Sequence, residues 1–91
     1  MSLLDDQALA RELQGLSGWT RAGRAIAKTW HFRDFKEAMF FVNGVAALAE
    51  RAGHHPDVDI RYSQVTVTLW THDAGGVTEK DLALARALEA L

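Results

Sequence analysis

The chain has no cysteine, which excludes disulfide bonds and thiolate chemistry. It has a single proline, Pro56, and no apolar stretch approaching the roughly 20 residues needed to cross a bilayer, so no membrane partner is expected. There is no run of lysine and arginine, and the net charge is −2, so no nucleic-acid partner is expected either. Bases are also missing from Met1-Ser2-Leu3-Leu4-Asp5-Asp6, which carries acids where a secretory leader would be basic. A cytoplasmic protein is the expectation. Length is scarce too: 91 residues make one domain, 1–91, without linker, repeat or low-complexity segment. A chain of this size buries only about 60–65% of its unfolded surface, so self-association would add to its stability.

What is present reads as an alternation of helices and strands. Residues 5–14 predict a short helix capped by Asp5 or Asp6, with Leu9 and Leu13 one turn apart, broken by Gly15 and Gly18. Trp19-Thr20 and Ala25 to Phe32 predict two strands around the turn Arg21-Ala22-Gly23-Arg24. Asp34 and Glu37 resemble a capping box, opening a long helix with an apolar stripe of Phe35, Met39, Val42, Ala46 and Ala49, widened by Phe41, Val45 and Leu48. Gly53 stands where a C-terminal cap is expected, and Pro56 cannot continue the helix. Val58 to Tyr62 and Val65 to Thr71 predict two more strands around Ser63-Gln64, with His72 closing the second. After the turn Asp73-Ala74-Gly75-Gly76, Thr78-Glu79-Lys80-Asp81 opens a last helix carrying Leu84, Leu88 and Leu91. The order α-β-β-α-β-β-α predicts an α+β fold: a four-stranded antiparallel sheet with helices packed on one face.

Three of the four histidines, His54, His55 and His72, fall within nineteen positions. One histidine beyond a helix end can simply bind free carbonyls and, when protonated, gain about 0.3–1 kcal/mol from the helix dipole. Three imidazoles also match the ligand number of catalytic zinc, although His-His followed by His seventeen residues later is not a zinc spacing. The third possibility is general acid–base chemistry, since imidazole both gives and takes a proton near neutral pH. Such catalysis contributes about 10²–10⁴-fold, enough for a substrate that already eliminates slowly unaided. Glu50, one turn before His54, reads equally as a partner that orients that ring and as a solvated last-turn residue. Asp81 reads first as the capping-box partner of Thr78. Trp19 and Trp70 offer aromatic walls for a flat heterocycle, although aromatics in small domains are usually core.

These residues together resemble the pterin-4a-carbinolamine dehydratases over essentially the whole chain. The resemblance runs through Gly18-Trp19, Trp30-His31-Phe32-Arg33-Asp34-Phe35, and Thr71-His72 followed by Gly76 and Asp81. Its core is the spaced set Glu50, His54-His55-Pro56, Tyr62, His72 and Asp81, with every interval met. The resemblance implies dehydration of 4a-hydroxytetrahydrobiopterin, or a related pterin, to the quinonoid dihydropterin, recycling pterin for an aromatic amino acid hydroxylase. It implies no metal and no organic cofactor. By resemblance His54 and His72 are the acid–base pair, His55 helps bind the pterin, Glu50 and Asp81 support the histidines, Pro56 holds the loop and Trp19 lines the pocket. A homodimer or homotetramer is implied, as is a rival role, since some relatives act as dimerisation partners of transcription factors or assist assembly of other proteins. Two departures, Val58 where many members carry an aromatic and Ile60 where an Asn is usual, bear on substrate preference rather than on the reaction.

Overall fold

The computed structural model describes residues 2–91. Asp5 caps α1 (Asp6–Leu13), its carboxylate accepting the Ala8 N–H at 2.8 Å. β1 (Thr20–Ala22) and β2 (Ala25–His31) follow as a hairpin in which Ala22 pairs with Ala25. The turn is therefore only Gly23-Arg24, tighter than the four residues expected, and Gly23 supplies the positive φ of 62° that such a turn requires. α2 (Phe35–Ala52) begins at Asp34, which accepts the Glu37 N–H at 2.9 Å, while the Glu37 carboxylate reaches back to the Arg33 N–H at 3.0 Å. At about 1.5 Å per residue its 18 residues run the length of the sheet.

β3 (Asp57–Arg61) and β4 (Gln64–Leu69) form the second hairpin, and α3 (Glu79–Glu89) closes the chain. The sheet order is β1-β2-β4-β3 with every pair antiparallel, so α2 carries the chain from an inner strand to the opposite edge. Element order, sheet and α+β class are as expected from the sequence. Ile26, Val65, Val67 and Leu69 point to the helical face and are fully buried with Val45 of α2 and Leu82 and Leu88 of α3. Each such side chain stabilises the fold by about 1.5–3 kcal/mol. The opposite face carries small polar residues, with Thr29 and Thr66 hydroxyls hydrogen-bonded at 2.7 Å.

Three local expectations shift. Arg61 pairs with Gln64, so the second turn is Tyr62-Ser63 rather than Ser63-Gln64, and Tyr62 takes a φ of 51°. The register keeps Ile60 opposite Val65 on the helical face, and the turn residue accepts the strain. The β4 ladder stops at Leu69 because Thr71 and His72 leave it for a tight loop, in which the Thr71 N–H donates to Gly76 at 2.8 Å. On α2 the buried stripe is Ala38, Val45 and Ala49, whereas Phe35 and Phe40 stay exposed and Ala46 faces solvent.

Candidate active site

Helix α2 ends on Gly53 in the left-handed conformation, with the Gly53 and His54 N–H groups both returning to carbonyls of the last turn. The extended chain that follows sends adjacent side chains to opposite sides. His54 turns inward to Asp81: its Nε2 lies 2.5 Å from Oδ1, with the imidazole 12% exposed and the carboxylate fully buried. His55 turns outward to Glu50, Nε2 to Oε2 at 2.5 Å, with both side chains largely in solvent. Glu50 thus engages His55 and not His54, because the left-handed cap rotates His54 away from the exposed side of the helix.

Asp81 sits at the first turn of α3 and does two jobs. Its Oδ2 accepts the Thr78 N–H at 2.8 Å, which completes the capping box, and also the Thr71 hydroxyl at 2.8 Å. The Thr71 and Thr78 hydroxyls are themselves 2.8 Å apart, and all three residues are buried. One carboxylate therefore ties the loop after β4, the start of α3 and His54 into a single buried network. Among the described residues no buried side-chain polar atom is left without a partner.

His72 projects from the loop after β4, its ring 4.1 Å from that of Trp70 and tilted by 34°. Its imidazole has no hydrogen-bond partner among the described residues. The three imidazoles, Trp70 and Thr71 line one open cavity of about 320 Å³. Asp73 and Lys80 stand at the same cavity. Pro56 and Glu50 instead line a neighbouring apolar groove with Val42, Val45 and Val58. Trp19 is not brought to the histidines: it lies in the core, edge-on to Trp30 at 5.7 Å, and its indole N–H donates to Glu89 at 3.0 Å. No group of three His, Asp or Glu side chains with metal-holding geometry occurs among the described residues. Such a cavity, with one imidazole fixed by a buried carboxylate and another unengaged, can give and take protons at a ligand placed between them.

Comparison with known proteins agrees with the spaced motif. A family model described as pterin 4 alpha carbinolamine dehydratase matches residues 2–91. The chain belongs to this family. A protein of Thermomicrobium roseum, named "Putative pterin-4-alpha-carbinolamine dehydratase", is 55% identical over 91 residues, covering 100% of this chain and 98% of its own. A relative of the same name from Roseiflexus castenholzii is 50% identical over 90 residues, covering 99% of this chain and 97% of its own. The crystal structure of a transcriptional coactivator/pterin dehydratase from Brucella melitensis superposes with a TM-score of 0.92 at 37% identity, over 96% of this chain and 95% of that one. A more distant family neighbour, a pterin dehydratase-like RuBisCO assembly factor of the alpha-carboxysome, has a TM-score of 0.69 at 25% identity, over 80% of this chain and 87% of its own.

Spacing in the sequence does not mark Thr71, Thr78, Asp73 or Lys80 as site residues. Thr71 and Thr78 read as strand and cap residues, and nothing local reveals that both hydroxyls turn inward. Lys80 does leave a trace: a cation in the first turn of a helix opposes the dipole, an arrangement a purely structural sequence avoids.

Proposed function

We propose that the protein dehydrates a 4a-hydroxytetrahydropterin to the quinonoid dihydropterin and so recycles pterin, in the cytoplasm, for an aromatic amino acid hydroxylase. The observation that carries this is the His54–Asp81 pair, an imidazole held from behind by a buried carboxylate and fronting the same cavity as His72. In the reaction the C4a–O bond breaks, the N5–H proton leaves, a C4a=N5 bond forms and water departs. The N5 lone pair drives out hydroxide once a proton is supplied to it. With Asp81 accepting from Nε2–H, His54 has Nδ1 left for proton exchange, and it works with His72 as the acid–base pair. His55, steadied by Glu50, helps bind the pterin, and Pro56 holds the loop. No metal or organic cofactor enters this scheme.

The test is stopped-flow decay of freshly generated 4a-hydroxytetrahydropterin with catalytic amounts of chelator-treated protein. Acceleration of about 10²–10⁴-fold is expected, and its loss in the His54→Ala/His72→Ala double variant. Folded wild-type protein that gives no acceleration, or a double variant with full turnover, would overturn the assignment.

A second reading, a protein-binding or assembly role on the same fold, draws on the RuBisCO assembly factor among the neighbours and on exposed Phe35 and Phe40 of α2. In that case the double variant would keep its partner. Self-association is part of the proposal: β3 is an edge strand with all five residues exposed, Val58 and Ile60 among them. Light scattering at micromolar concentration should give a homodimer or homotetramer; a clean monomer would refute it.

A further inference from the structure

His54 has cavities on two sides. Besides the histidine cavity, it borders a groove of about 320 Å³ between α2 and α3, and Lys80 borders both. The walls of the groove are Leu48 and Ala52 from α2 and Ala83, Leu84 and Ala87 from α3. Its remaining lining residue is Arg51. Neither Arg51 nor Lys80 has an ion-pair partner among the described residues, which hold nine ion pairs by contact distance. Lys80 also sits where the dipole of α3 opposes it.

In a pterin, C6 is two bonds from C4a, through N5. A substrate whose C4a lies against His54 therefore launches its C6 substituent from beside that imidazole. We infer that the α2–α3 groove receives this substituent, and that the substituent it fits is an apolar or aromatic arm ending in carboxylate. The inference rests on the dehydratase reading and names its substrate class. Short hydroxylated arms would leave the alanine and leucine walls unmatched and both cations unused. A p-aminobenzoyl-glutamyl arm matches each in turn: the ring lies against the apolar walls, and a terminal carboxylate meets the guanidinium of Arg51, whose planar fork suits it. A net charge of −2 means no overall field draws in an anion, so local cations must do it.

Two stable ligands test this on the intact protein: 6-methyl-7,8-dihydropterin and 7,8-dihydrofolate, which shares the ring and adds the carboxylate-ended arm. Calorimetry should find the second bound about 10-fold tighter at low salt, as expected for one added charge-assisted contact and a buried ring. Ala83→Trp, which fills the groove from an exposed helix position, should erase that advantage. Arg51→Gln should cut it severalfold, and neither change should move the affinity of the methyl compound. Because a last-turn Arg51 also complements the dipole of α2, the binding ratio and not stability is the readout. Equal affinities in the wild type, or an advantage that survives both variants, would overturn the inference. If folded protein binds neither ligand, the pterin reading falls and this inference with it.

Discussion

Two neighbouring histidines make the same contact in opposite surroundings. His54 and His55 each bring Nε2 to 2.5 Å from a carboxylate oxygen. The Asp81 side chain is fully buried and has two further donors, whereas Glu50 is 77% exposed and has none. A buried carboxylate that loses a partner leaves the remaining groups unpaired in a medium that cannot solvate them, at about 3–5 kcal/mol. An exposed pair is screened by water and is worth about 0–1 kcal/mol. Equal distances therefore conceal different energies. The inner pair can hold one ring orientation against thermal motion, and the outer one is free to rearrange around a ligand.

The strongest way to break this contrast is Asp81→Ala. It removes the acceptor of His54, Thr71 and the Thr78 N–H together. Thermal unfolding should show a loss of about 3–5 kcal/mol, which for a domain of this size lowers Tm by more than about 10 °C. A drop of only a few degrees would mean that water reaches the network. The milder Asp81→Asn keeps an oxygen acceptor but loses the charge. Its turnover should fall by at least about 10-fold while the fold survives, separating support of His54 from capping of α3.

Most of this frame could be read from the chain because each element carries its own local signal. Asp34 and Glu37 start α2, Gly53 ends it, and alternation of Val65, Val67 and Leu69 sets the face of β4. The site was legible only as spacing. That Glu50 serves His55 and not His54 depends on the left-handed Gly53, which turns the chain between them. That Asp81 is both cap and histidine partner depends on α3 docking against the loop after β4, a tertiary event without a local signature. Trp19 illustrates the reverse. Its position invited a role at the pocket, but an aromatic beside the first strand is drawn into the core by Trp30 and anchored by Glu89.

Thr71→Val tests whether the buried network is a unit. Valine matches the shape of threonine but removes the hydroxyl that donates to Asp81 and meets Thr78. A loss of about 1–3 kcal/mol is expected from the oxygens left unpaired, smaller than for Asp81→Ala because the His54 contact persists. Chemical denaturation with an unchanged m-value would attribute the loss to the folded state. A neutral result would mean that Thr78 alone satisfies the carboxylate.

The smallest effect belongs to the outer pair, and it sharpens the contrast most directly. Glu50→Gln should change stability by less than about 0.5 kcal/mol, since two exposed side chains gain little from meeting in water. The informative quantity is the coupling energy from a double-mutant cycle, Glu50→Gln against His55→Gln, set beside Asp81→Asn against His54→Gln. The first should fall below about 1 kcal/mol and weaken with added salt, and the second should exceed it and resist salt, because screening acts on exposed charges far more than on buried ones. With His55 proposed to bind the pterin, Glu50→Gln should raise KM and leave kcat nearly unchanged, whereas the inner pair should act on kcat. If both cycles return the same coupling, burial does not divide the work between these histidines, and the preference for His54 over His55 as the proton carrier loses its physical basis.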